Sequence, residues 1–165
     1  RKLKEEDLEY LISIENNVSF WKHSFNNQKY SKDDLEGLIK DSKLPIELTN
    51  QVRYVICRSI DNEKVGFVDL FNIDFDNFKA GVGILIPNKQ YRSKGYGKSA
   101  LRKIIKLSTE KLKINNLYCN IVNNNMPSIN CFKSVGFKEI DSKSDLHIAS
   151  TEKFDLKSVI QFQCT

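Results

Sequence analysis

The sequence predicts an α/β (α+β) protein, one domain with a mixed, mostly antiparallel central sheet flanked by helices. Three observations carry this expectation. Two runs rich in β-branched residues, 53–60 and 65–73, flank the turn-forming Asp61-Asn62-Glu63 and read as an antiparallel hairpin. After the hairpin, strand and helix patterns alternate, the order that builds a mixed sheet. The chain has 165 residues, 40% hydrophobic and 28% charged, enough to fold as a single unit over 1–165 without disulfides or metal.

Each element has its own local reason. Residues 3–14 read as a helix, with Leu8, Leu11 and Ile12 on one stripe and acidic residues in the first turn. Residues 16–30 read as a loop dense in aromatics (Phe20, Trp21, Phe25 and Tyr30), which close a core or line a pocket. Ser31 and Asp34 form a capping-box variant that opens a helix to about Lys40. Residues 79–86 read as the third strand. Over 97–112, Leu101, Ile104, Ile105 and Leu112 recur at helical spacing, and 117–122 returns to a strand. Asn125 is an N-cap, Pro127 sits where its missing N–H costs little, and Gly136 suits a left-handed helix end. Residues 137–140 and 154–162 read as closing strands, while 141–151 show no clear pattern.

Composition narrows the function only mildly. A net charge of +5 suits a polyanionic cofactor, nucleic acid or plain solubility. No apolar run approaches the roughly 20 residues of a membrane helix, and no signal-peptide pattern opens the sequence. Cys57, Cys119, Cys131 and Cys164 show no C-x-x-C spacing, and His23 and His147 are the only histidines. No metal site is expected, and reduced thiols in a cytoplasm are.

The stretch 90–100, with Arg92, Gly95 and Gly97, follows the apolar run 82–86. A strand, a short basic loop, two glycines one residue apart and a helix pattern describe a strand leading an anion to a helix N-terminus. Three phosphate-binding patterns compete for it. A P-loop needs glycine where Arg92 stands. The dinucleotide fingerprint fits Gly95, Gly97 and Ala100, but 87–94 separates them from the strand and 117–125 offers no acidic residue for a ribose. The third pattern, R-x-x-G-x-G, is matched by Arg92, Gly95 and Gly97.

At these residues the chain resembles the GNAT family of N-acetyltransferases. Ile84-Leu85-Ile86-Pro87 precedes Arg92-x-x-Gly95-x-Gly97-x-x-Ala100-Leu101, as the family's fourth strand precedes its pyrophosphate loop. Asn125-x-x-Ser128, Phe132 and Gly136-Phe137 then resemble the family's N-x-x-[AS]-x-x-x-[YF]-x-x-x-G-F signature. The likeness runs from Leu3 through the last strand. Glu15-Asn16-Asn17, Trp21, 65–70 and Lys79-Ala80 resemble the branch of spermidine and ribosomal-protein acetyltransferases. In that branch the region after the first helix and the second helix form the acceptor side.

The resemblance implies a ternary complex in which a primary amine attacks acetyl-CoA directly. Ile84, Leu85 and Ile86 would supply backbone donors to the oxyanion and hold the pantetheine. Arg92, Ser93, Lys94, Gly95, Tyr96, Gly97 and Lys98 would hold the pyrophosphate, with Lys89 and Arg102 as further phosphate partners or a solvated face. Asn125 and Phe132 would complete the cofactor side. Two departures from the family stand out. Phe132 occupies the position where the family often has its tyrosine acid, leaving Ser128 as a substitute donor or a plain first-turn residue. Gly81 occupies a position often held by Glu, leaving Asp69 and Glu15 as base or acceptor anchors, or as solvated or structural carboxylates. The acceptor is a polyamine, another small amine, an aminoglycoside or a protein N-terminus; nucleic acid and membrane partners are not expected. The oligomeric state is open, a homo-oligomer included. A non-catalytic acyl-CoA-binding module is the alternative reading.

Overall fold

The computed structural model describes residues 1–21, 29–140 and 159–165, with the side chain of Trp21 left out. Phe25, His23, His147 and the patternless stretch 141–151 lie outside the described residues. Six strands form one sheet in the order β1-β2-β3-β4-β6-β5: β1 Val52–Cys57, β2 Lys64–Asp74, β3 Lys79–Leu85, β4 Asn116–Val122, β5 Lys138–Ile140 and β6 Val159–Cys164. Among the described residues β3 and β4 are the one parallel pair, and every other neighbour is antiparallel.

Helices cover both faces because successive strand residues point to opposite sides. Val68, Leu70 and Val82 face α5 (Tyr96–Glu110) and α6 (Met126–Lys133), joining Leu101, Ile104 and Phe132 in the larger core. Val55, Phe67 and Leu85 face α1 (Leu8–Glu15) and α3 (Lys32–Asp41), meeting Leu11, Leu35 and Ile39. A 3-10 turn, Glu5–Asp7, leads into α1. Its fully buried Asp7 accepts hydrogen bonds from Arg1 at 2.7 Å and the Lys4 N–H at 2.8 Å, and pairs with Lys64 at 2.9 Å, which ties the turn to β2.

The predicted caps are present. Ser31 Oγ accepts from the Asp34 N–H at 3.1 Å, and the Asp34 carboxylate accepts from the Ser31 N–H at 2.9 Å. Asn125 caps α6, and Gly136 takes φ 104°. Two expectations need correction, and one element was not expected. The first strand stops at Cys57, because Arg58 already belongs to the turn: its N–H donates to Glu63 O at 2.8 Å, its guanidinium pairs with Asp61 and Glu63, and Ile60 is exposed. The stretch read as a loop contains the short helix α2 Val18–Trp21. A further turn of helix, α4 Ile46–Thr49, starts after Pro45 and ends at left-handed Asn50, with no sequence expectation behind it.

Candidate active site

The sheet opens in its middle. β3 and β4 pair only at Lys79–Asn116, Ala80–Leu117 and Gly81–Tyr118. Beyond that, β3 stays with β2 as far as Leu85–Phe67, and β4 stays with β6 as far as Val122–Val159. Inner backbone edges along 82–85 and 119–122 are therefore outside the β3–β4 ladder and can bond a ligand threaded between them. Ile84 and Leu85 lie on this stretch, and Ile86 follows it.

The chain then turns into α5 through a braced loop. Asn88 caps a 3-10 turn, Lys89–Tyr91. Tyr91 is buried, donates its hydroxyl to the Glu63 carboxylate and meets Tyr96 edge-on with ring centroids 6.2 Å apart. Arg92 donates through Nε to Ile86 O at 2.9 Å and through Nη2 to Pro87 O at 3.0 Å. Two of its donors thus fasten the loop to the end of β3, a role the sequence reading did not foresee. Ser93 at φ 58° and Gly95 at φ 84° are both left-handed, and Gly95 is the N-cap of α5. No side chain caps this 15-residue helix among the described residues, and its first turn has no acid. Its first-turn N–H groups, the dipole and the neighbouring Lys94 and Lys98 in the sequence are features that favour an anion. At Gly97 a Cβ would lie 3.2 Å from Cys131 Sγ and 3.4 Å from Ile84 Cδ1, so β3, α5 and α6 meet there. Burial raises the Cys131 pKa against the opposing effect of Lys98, keeping it a neutral thiol.

On the opposite face the two candidate carboxylates converge on one residue. Arg53 of β1 donates Nε to Asp69 Oδ1 at 2.8 Å, Nη2 to Asp69 Oδ2 at 3.0 Å and Nη1 to Glu15, at the end of α1. Its guanidinium lies 5.3 Å from the Phe67 ring centre. Burial works against the Arg53 charge, but Asp69 and Glu15 more than offset it and its pKa is raised. Two carboxylates thus converge on one guanidinium. A separate groove of about 400 Å³ beside α1 is lined by Tyr10, Ile14, Phe20, Glu63, Lys64 and Tyr91 among others. Burial pushes the Tyr10 hydroxyl up to about 12, so it stays a neutral donor.

The remaining expected residues divide. Ser128 is half-buried at the start of α6, and its N–H donates to Asn125 Oδ1 at 3.4 Å. Phe132 is only 2% exposed and packs edge-on against Phe137 at 4.9 Å, so its ring belongs to the core. At Gly81 a Cβ would lie 2.3 Å from the Phe71 ring: Phe71 fills the space of the side chain this strand lacks. Sequence reasoning missed Arg53 and Phe71. The cross-strand pairs Arg53–Asp69 and Phe71–Gly81 were the available signal, given the right hairpin register.

Residues 1–138 match the family model described as an acetyltransferase (GNAT) domain. The chain belongs to the GNAT acetyltransferases. It is an N-acetyltransferase with acetyl-CoA as its co-substrate. The spermidine N(1)-acetyltransferase of Escherichia coli K12 is 26% identical over 137 residues, 83% of this chain and 70% of that protein. An N-acetyltransferase 9-like protein of Nematostella vectensis is 35% identical over 91 residues, 54% of this chain and 46% of its own length, so the match spans less than half of that relative. Among solved structures, Vibrio cholerae spermidine N-acetyltransferase in complex with CoA and spermine has a TM-score of 0.78 at 20% identity, covering 99% of this chain and 90% of that one. A domain from Methanocaldococcus jannaschii has a TM-score of 0.72 at 19% identity, covering 99% and 94%. At these identities the two structures establish the fold. No described helix is long and apolar enough to cross a membrane.

Proposed function

We propose that this GNAT enzyme acetylates an aliphatic primary amine of the polyamine class, received on the Glu15–Arg53–Asp69 face of the sheet. The observation that carries this is the pair of carboxylates, Glu15 and Asp69, gathered on Arg53 beside the open end of β3, on the face opposite the start of α5. Relatives named for spermidine support it.

Acetyl-CoA supplies a thioester whose carbonyl carbon accepts the amine. Ser93 to Lys98 hold its pyrophosphate through backbone N–H groups and lysine charge, while Arg92 keeps the loop in place. Backbone N–H groups at the inner edge of Ile84 to Ile86 stabilise the oxyanion. Glu15 and Asp69 attract the ammonium and, directly or through a water, take the proton it must lose before attack. The C–N bond forms as the C–S bond breaks, and Ser128 gives the departing thiolate a proton. Asn125 fixes Ser128 at the helix start, and Phe132 supports that helix from the core.

We read 1–165 as one such domain, since β6 lies between β4 and β5 inside the same sheet. A cytoplasmic location agrees with its four free cysteines.

The test is thiol release from acetyl-CoA across polyamines, alkylamines and peptides. Polyamine-stimulated release is expected. Tight acetyl-CoA binding with no amine raising release above hydrolysis would instead favour a non-catalytic acyl-CoA-binding module, the reading that Phe132 and Gly81 keep in play.

A further inference from the structure

Gly66, Gly81 and Gly83 all lie in the paired β2 and β3 strands, and two of them have a packing reason. A Cβ on Gly66 would lie 2.1 Å from Leu85 O, and one on Gly81 would lie 2.3 Å from the Phe71 ring. Gly83 is different. The nearest atoms to a Cβ there are Asp69 Oδ2 at 3.6 Å, Phe71 Cε1 at 3.7 Å and Asp69 Cβ at 3.8 Å, all ordinary contacts, and its φ is not left-handed. Alanine would fit. Glycine weakens a strand interior, and where packing does not demand it, it marks a place another molecule approaches closely.

The position of Gly83 says what approaches. It pairs with Asp69 across β2–β3 and stands two residues beyond the last β3–β4 pair, at the opening of the sheet. It shares the face of Asp69 and Phe71, which wall the missing side chain on two sides. A single carbon in that space touches both walls, at 3.6 Å from Asp69 Oδ2 and 3.7 Å from Phe71 Cε1. Asp69 Oδ2, although bonded to Arg53, keeps a lone pair for a further donor.

Resting on the primary-amine reading above, we propose that Gly83 is the specificity-determining floor of the acceptor site. The gap over it takes the carbon bearing the acceptor nitrogen, and Asp69 Oδ2 accepts a hydrogen bond from the ammonium. The site then admits unbranched –CH2–NH3+ ends and rejects amines on a branched carbon, including the α-amine of a peptide.

The test compares spermidine, 1-aminobutane, 2-aminobutane and a tripeptide on wild type and Gly83→Ala, with melting and acetyl-CoA calorimetry on both. Wild type is expected to favour 1-aminobutane over 2-aminobutane by about tenfold or more in kcat/KM. Gly83→Ala is expected to raise KM for the linear amines about tenfold, with acetyl-CoA affinity unchanged and the melting temperature equal or higher. Equal use of the two aminobutanes, or a wild-type acceptor KM in Gly83→Ala, overturns the proposal while leaving amine acetylation standing. If wild type releases no thiol with any amine, the acetylation reading fails instead, and amine titration of the CoA-loaded protein decides the site. Tighter binding of the linear amine, lost in Gly83→Ala, retains it; absence of that difference overturns it.

Discussion

Gly97 sits where three elements meet closely. Its missing side chain lets α5 start against Ile84 of β3 and Cys131 of α6, with a Cβ already 3.2 Å from the sulfur. Gly97→Asp adds a carbon there and a negative charge at an uncapped helix N-terminus that favours anions. Acetyl-CoA affinity is expected to fall about tenfold or more by calorimetry, with the circular dichroism spectrum retained. Gly97→Ala, which adds the carbon without the charge, should fall less; equal losses would mean that the charge plays no part. Ser128 makes a second test. Its N–H, not its hydroxyl, is the group that satisfies the cap on Asn125, so Ser128→Ala spares the helix end. If the hydroxyl protonates the thiolate, kcat should fall several-fold while the acetyl-CoA KM holds, because a proton donor acts in the transition state. Wild-type kcat in that variant would remove Ser128 from the mechanism.

Among the elements, α3 shows how far local rules reach. Ser31 and Asp34 satisfy each other's backbone N–H groups, and the Ser31 hydroxyl, donating to the Asp34 carboxylate at 2.7 Å, together with the Ser31 N–H holds the Asp34 pKa below the usual carboxylate range. A depressed folded pKa contributes stability that is complete above the unfolded carboxylate value and lost as the pH falls through the folded one. Ser31→Ala should therefore lower the melting temperature by about 2–4 °C near neutral pH. The difference from wild type should narrow in acid, and a difference constant across the acid range would contradict that linkage. Helices such as α3, α5 and α6 were legible because cap and periodicity lie within a few residues of each other. The hairpin was only half legible. A loop of Asp61-Asn62-Glu63 pairs Ile60 with Lys64 and sets Phe71 opposite Arg53. The real turn begins at Arg58, whose carboxylate partners Asp61 and Glu63 draw it out of the strand, and the register places Asp69 there instead. That slip of two residues hid the acceptor-side cluster.

At the scale of the molecule, the sheet separates two electrostatic tasks. The basic, glycine-containing loop leads into the start of α5, and the Glu15–Arg53–Asp69 cluster lies on the other face, so in the proposed complex a polyanion and a cation meet across the opening between β3 and β4. The proposed cofactor loop could be singled out in the sequence because its parts are contiguous from Ile84 to Lys98. Glu15, Arg53 and Asp69 come from three elements far apart in sequence, and folding alone assembles them. This division predicts separable defects. Asp69→Asn should raise the acceptor KM and leave acetyl-CoA affinity unchanged; Glu15→Gln should do the same more weakly, since Asp69 is the carboxylate that borders Gly83. With an ordinary amine pKa near ~10, the attacking neutral form grows with pH, so kcat/KM should climb toward alkaline pH in wild type and variants alike. The acceptor KM of a trivalent polyamine should also rise with ionic strength, as expected for a cation drawn by carboxylates. Steady-state kinetics against pH and salt measure all of these. A rate that falls with rising pH would contradict attack by the free amine, and a salt-insensitive KM together with full activity in Asp69→Asn would remove the cluster from acceptor binding.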